Sequence, residues 1–142
     1  MKISNRTDYA LRAMIELSLA HGRREYLSAK KIADKENIPI KFLEQILKTL
    51  KNAQYAESRL GPSGGYMLTR SPEDITFGDV IRLFEGDLAP IGCVSLENPK
   101  FCSEKWHCRF RRVMVQLRNA VSNVVDHTTF ADVCIPPAKK DA

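Results

Sequence analysis

The chain has 142 residues, of which 44% are hydrophobic and 27% charged; this suits one domain, or a small domain with an appendage, and excludes a large multi-domain enzyme and a wholly disordered chain. No apolar run reaches the roughly 18 residues of a membrane-spanning helix, and Arg6, Asp8 and Arg12 interrupt the stretch where a signal peptide needs apolar residues, so a cytoplasmic protein with no membrane partner is expected. The net charge of +5 is lopsided: residues 1–70 carry thirteen Lys and Arg against seven Asp and Glu, and residues 71–142 carry nine against ten, which suggests a polyanion-binding module joined to a neutral one.

The elements follow in chain order. Ala10, Ala13, Met14, Leu17 and Ala20 recur at helical spacing and predict a helix from Asn5 to about His21, with Gly22 as a left-handed cap. Ser28 is a good N-cap for a second, short helix running to about Lys35, and Asn37 supplies the turn after it. Pro39 suits the first turn of a third helix reaching about Asn52. There Phe42, Leu43, Ile46, Leu47 and Leu50 form the inward stripe, and Lys41, Glu44, Gln45 and Lys48 line a polar face. Tyr55 to Arg59 and Tyr66 to Arg70 flank Leu60-Gly61-Pro62-Ser63-Gly64-Gly65, a hairpin with a glycine-rich tip. Thr76 and Asp79 form a capping arrangement that opens a helix from Phe77 to about Glu85.

Periodicity disappears between Gly86 and Glu104, leaving a long loop of the kind that usually has a task or is disordered. It returns at Trp106 and continues through Phe110, Val113, Leu117, Val121, Val124 and Thr128, predicting a helix over 105–130 that spans roughly 30 Å or more. One small domain offers little surface to cover such a stripe, whereas a second copy of the helix would, so a two-fold homodimer is expected; an intramolecular core helix is the alternative. Residues after Pro136 read as a polar tail.

The expected architecture is mainly α with a small β-hairpin wing. Residues 1–75 form a winged helix-turn-helix DNA-binding domain, and residues 76–142 form a connecting helix, a cysteine-bearing sensor loop (86–108) and the dimerisation helix. In a helix-turn-helix the second helix of the pair enters the major groove, where base edges are distinguishable. Gln45 can pair with an adenine edge, Glu44 can accept from a cytosine amino group, and Lys41 and Lys48 can neutralise phosphates; as single side chains each also reads as a solvated position. Lys30 and Lys31 add backbone contacts, Ser63 sits at the wing tip, and Arg59 beside it can enter a narrow minor groove. The glycines at 61–65 follow the wrong elements, and lack the lysine, for a nucleotide-phosphate loop. No G-x-S-x-G elbow or H-E-x-x-H helix occurs, and His21, His107 and His127 are scattered, so no enzyme and no small-molecule substrate are expected.

All four cysteines lie in the last third of the chain. Cys93, Cys102 and Cys108 have the spacing C-x8-C-x5-C, with the third at the start of the long helix. Thiolates favour soft and borderline metals, so an iron–sulfur cluster, a zinc site, or thiol redox switching without metal all remain open; the C-x2-C pairs usual in zinc ribbons are absent.

Together, Asp8-Tyr9-Ala10-Leu11-Arg12, Phe42-Leu43-Glu44-Gln45-Ile46-Leu47, Gly61-Pro62-Ser63-Gly64-Gly65-Tyr66 and three cysteines before a long helix resemble the IscR/NsrR/RirA family of bacterial transcription regulators, over nearly the whole chain. The resemblance implies a homodimeric winged-helix repressor on a palindromic operator in double-stranded DNA. It also implies that Cys93, Cys102 and Cys108 ligate an iron–sulfur cluster, 4Fe-4S rather than 2Fe-2S, reporting on nitric oxide, iron or redox state. In the NsrR type an aspartate near the start of the first helix, supplied by the other subunit, completes the site, and Asp8 stands at the matching place. In the IscR type a histidine three residues after the last cysteine does so; here that position is Arg111, and His107 precedes Cys108 instead. The first cysteine gap is longer than is usual in the family, and the arginine that usually precedes the first wing glycine is replaced by Leu60, with Arg59 one position earlier. Cys134 matches no ligand and reads as a packing thiol. Some members of similar sequence act without metal, as thiol switches or partner-dependent regulators of sulfur and cysteine metabolism, which is the rival reading.

Overall fold

The computed structural model describes residues 2–135; the tail expected after Pro136 lies outside the described residues. Six helices and one hairpin follow in order: α1 (Asn5–His21), α2 (Ala29–Glu36), α3 (Ile40–Asn52), β1 (Ala56–Arg59), β2 (Gly65–Leu68), α4 (Phe77–Glu85), α5 (Arg111–Asp126) and α6 (Phe130–Cys134). Single tight turns of helix also occur at Pro72–Asp74 and Gly92–Val94.

Local chemistry explains the boundaries. Ser4, Ser28 and Thr76 each accept, at the side-chain oxygen, the backbone N–H three residues on, satisfying a donor that a helix start otherwise leaves orphaned. Thr76 and Asp79 complete a reciprocal capping box, and Thr129 and Asp132 repeat it at α6. Asn37 closes α2 in the left-handed conformation at φ 53°. Gly22 does not act as the expected left-handed cap: its φ is −61° and helical. The left-handed turn is made two residues later by Arg24, at φ 54°.

The core is built where the apolar stripes of α1 and α3 meet. Ala10, Ala13, Met14, Leu17, Leu43, Ile46, Leu47 and Leu50 are all buried, and a buried Leu, Ile or Met side chain stabilises by about 1.5–3 kcal/mol. Helix α6 closes the same core from the far end of the chain. Its Phe130 is fully buried and stacks on Phe77 with ring centroids 4.5 Å apart, while the Phe130 N–H donates to Ile75 O at 3.0 Å.

The wing is a two-stranded antiparallel hairpin in which Ala56 pairs with Leu68 and Arg59 with Gly65. Its strands are shorter than the expected 55–59 and 66–70. A further bridge ties it to the helix-turn-helix: the Leu27 N–H donates to Tyr66 O at 2.9 Å and the Tyr66 N–H to Leu27 O at 2.7 Å. A Cβ at Gly65, where φ is 141°, would collide with the Leu27 carbonyl, so glycine is required for this close approach.

The long helix is shorter than its apolar stripe. Instead of covering 105–130 it begins at Arg111, and residues 102–110 form successive turns, with Lys105 N–H donating to Cys102 O at 3.3 Å and His107 N–H to Glu104 O at 2.9 Å. Cys108 therefore lies in the turn before the helix. Trp106 and Phe110 are 83% and 58% exposed, so little packing among the described residues offsets the entropy of extending the helix over them. At 16 residues α5 is about 24 Å long.

Candidate functional site

Two regions carry the candidate chemistry. The first is the outer face of α3 and the wing. With Leu43, Ile46, Leu47 and Leu50 turned into the core, Lys41, Glu44, Gln45 and Lys48 are left exposed on the opposite face. No side-chain hydrogen bond or ion pair between these four and another residue is present among the described residues, so their polar ends are free to meet a ligand. Lys30 differs: its ammonium pairs with Asp34 at 2.6 Å, one turn along α2, an exposed pair worth little in water.

Arg59 and Ser63 are exposed on the wing. The Arg59 guanidinium turns back toward the body of the protein and lies 5.5 Å over the ring of Tyr26. The Tyr26 hydroxyl donates to the Glu57 carboxylate at 2.7 Å, which with burial raises the pKa of the phenol. Lys31, Arg59 and Ser63 border one cleft with Arg24, Glu25, Tyr26 and Ser28. Arg24 and Tyr26 are not marked by the sequence; both fall in a connecting turn without periodicity, which the Leu27–Tyr66 bridge and the Tyr26 contacts to Glu57 and Arg59 bring against the wing.

The second region is the loop between α4 and α5. Cys93, Cys102 and Cys108 are all half-buried free thiols. Backbone closure helps shape the loop: the Lys100 N–H donates to Gly92 O at 2.9 Å, so the segment between Cys93 and Cys102 turns back on itself. Two arginines hold it to the helices. Arg118 of α5 donates to Val94 O at 2.6 Å, and Arg82 of α4 pairs with Glu97 at 3.1 Å and with Asp126 of α5 at 2.5 Å. The Arg82–Asp126 contact is bidentate and holds the Asp126 carboxyl below the usual carboxylate range. A Cβ at Gly78 would meet the Asp126 carboxylate and the Arg82 guanidinium, so a larger residue there would have to displace this ion pair.

The three thiols are soft donors on one segment, and their chemistry fits an iron–sulfur cluster. Within a single chain they are not assembled as a finished metal site: among the described residues, no group of three or more His, Cys, Asp and Glu side chains is placed to hold a metal ion. Asp8 is not gathered with them. It sits half-buried near the start of α1, paired with Arg12 at 3.0 Å. The neighbouring Thr7 donates to Glu85, at the end of α4, at 2.5 Å, as does the Ser4 N–H at 2.7 Å, so the start of α1 is fastened to the helix that leads into the cysteine loop. Cys134 is half-buried on α6, and burial, with Glu16 nearby, raises its pKa.

Helix α5 presents an unsatisfied apolar face. None of its residues is fully buried, and Val113, Leu117 and Val124 are 54%, 43% and 62% exposed. No helix among the described residues is long and apolar enough to cross a membrane.

A family model described as "Rrf2: Iron-dependent Transcriptional regulator" matches residues 3–135. The HTH-type transcriptional regulator CymR of Bacillus subtilis is 38% identical over 94% of this chain and 89% of its own length. Its solved structure, described as the global cysteine regulator, superposes with a TM-score of 0.81, covering 94% of this chain and 96% of that one. The HTH-type transcriptional regulator NsrR of Bacillus licheniformis is 32% identical over 94% of this chain and 92% of its own. The structure of T. potens IscR has a TM-score of 0.72 at 31% identity, covering 94% of this chain and 85% of that one.

Proposed function

The chain belongs to the Rrf2 family of transcriptional regulators, and from that premise we propose that it is a cytoplasmic, homodimeric DNA-binding repressor that senses nitric oxide, iron or redox state through an iron–sulfur cluster. The observation that carries the sensing half is the set of three free, half-buried thiols on one loop, tied by Arg82 and Arg118 to the two helices on either side of it. Cys93, Cys102 and Cys108 would hold the cluster, 4Fe-4S in preference to 2Fe-2S, and Asp8 from across the subunit boundary would supply the remaining donor. When bound, the cluster would supply a centre that reacts with nitric oxide or oxidants and is lost when iron is scarce. This chain's own residues do the rest. The α3 stripe of Lys41, Glu44, Gln45 and Lys48 reads the major groove, with Lys30, Lys31, Arg59 and Ser63 on the flanking backbone and wing side. The exposed face of α5 joins two copies, so the paired recognition helices match a palindromic operator. Bonds from Ser4 and Thr7 to Glu85 join the cysteine-loop side of α4 to the start of α1, giving loop geometry a route to the helix-turn-helix.

A second reading, a metal-free thiol switch or partner-dependent regulator of cysteine metabolism, is favoured by two observations: the thiols are not assembled within one chain, and the similar CymR is described as a cysteine regulator. Anaerobic purification separates the two. The cluster reading expects a brown protein with stoichiometric iron and sulfide, and complete loss of the colour in Cys102→Ser. Colourless protein selects the second reading; within it, a DNA response lost on replacement of all three loop cysteines marks the thiol switch, and one that survives marks the partner-dependent regulator.

A further inference from the structure

Three cationic side chains from three separate segments border one cleft of about 420 Å³: Arg24 from the turn after α1, Lys31 from the first turn of α2, and Arg59 from the wing. Glu25 is the one carboxylate on its rim, and it is paired with Arg23 at 3.1 Å; the nearby Glu57 accepts the Tyr26 hydroxyl. The cleft therefore keeps a positive excess. The start of α2 adds the partial positive charge of a helix N-terminus on the same side, and Ser63 and Gly64 of the wing tip close the far wall. Arg24 occupies the left-handed region at φ 54°, a conformation disfavoured for a non-glycine residue, and the turn that imposes it leaves Arg24 on the cleft.

We propose that this cleft seats one backbone phosphate of duplex DNA, with Arg24 and Arg59 closing on it from opposite sides and Tyr26 acting as a positioning residue for Arg59. The inference rests on the DNA-binding reading above and alters one part of it. Arg59, beside the wing tip, lies over the Tyr26 ring, 5.5 Å from the ring centroid, and serves as a phosphate clamp in place of a minor-groove reader. A phosphate contact fixes where the protein sits on the duplex without reporting sequence. The clamp would thus set the angle between wing and recognition helix on any DNA, leaving base choice to α3.

The test measures binding to a duplex selected in vitro from random sequence, and to a scrambled duplex, across a salt series. Arg24→Gln and Arg59→Gln are each expected to weaken both complexes by a similar factor, on the order of tenfold, and to reduce the slope of log K against log salt by about one. Tyr26→Leu, which removes no charge, is expected to reproduce the Arg59→Gln slope. An unchanged slope in Arg24→Gln and Lys31→Gln overturns the proposal, as does a loss in Arg59→Gln confined to A·T-rich minor-groove sequences. Inorganic phosphate titrated into the free protein, followed by the amide NMR signals of Ser28 and Gly64, distinguishes the source of the anion. Binding only at tens of millimolar is expected, and saturation at micromolar phosphate with an unaltered DNA slope assigns the cleft to a free anion instead. Wild-type protein that binds neither duplex in a salt-dependent way rejects the DNA-binding reading itself.

Discussion

Helices α3 and α5 carry the same kind of sequence, apolar residues at three-and-four spacing with charged residues between, and they end in opposite states. In α3 the stripe of Leu43, Ile46, Leu47 and Leu50 is at most 1% exposed, packed against α1, α2 and β1. In α5 no residue is fully buried, and its neighbours are α4 and the turn at Gly92–Val94. One amphipathic pattern has found its partner inside the chain and the other has not. A hydrophobic period establishes that a face will be covered; only the count of neighbouring elements shows whether the same molecule covers it.

The largest expected effect breaks this contrast on the α5 side. Leu117→Asp removes an apolar side chain twice from a symmetric seam, about 3–6 kcal/mol in all, so sedimentation should show dimer affinity falling roughly 10²- to 10⁴-fold while monomer stability stays nearly unchanged. An unaltered dimer would place the seam elsewhere. Leu47→Ala tests the α3 side and should do the reverse: urea denaturation should record a loss of about 2–5 kcal/mol, with little change in the association of chains that remain folded. The smallest effect sharpens the comparison where α5 does meet its own chain. Arg82 holds the Asp126 carboxyl below its ordinary pKa, so the stability contributed is complete above the ordinary aspartate range and is lost as pH falls through the lowered value. Asp126→Asn should cost about 1 kcal/mol at pH 7, a modest figure because the pair is partly exposed, and the gap from wild type should close as pH falls through the lowered pKa.

Much of this arrangement is legible in the sequence because it rests on local signals. Ser28, Asn37, Pro39 and the Thr76–Asp79 box set boundaries that depend on a few neighbouring atoms, and the α3 stripe sorts its own inward and outward residues. The length of α5 is not local. Trp106 and Phe110 keep the helical period, yet both stay largely exposed among the described residues, and the period alone cannot extend the helix. The cleft at Arg24 and Tyr26 was hidden for another reason: it forms only when the Leu27–Tyr66 bridge folds a connecting turn against a distant hairpin. The same holds for the fastening of Glu85 to Ser4 and Thr7, which joins positions about eighty residues apart. The cysteines are an intermediate case. Their spacing and free state are plain, whereas a donor from a second subunit belongs only to the reading proposed above.

The burial of Phe130 beside Phe77 has a consequence for how such a protein can be cut or recombined. The last described helix, α6, plugs the core built by α1 and α3, so a fragment ending near residue 75 would expose the floor of its own interior to water. Exchange of C-terminal segments at that junction would have to carry the plug along. Residues 1–75 and α6 therefore pack as one unit, and a cut at the apparent boundary in the sequence would sever the packing that crosses it.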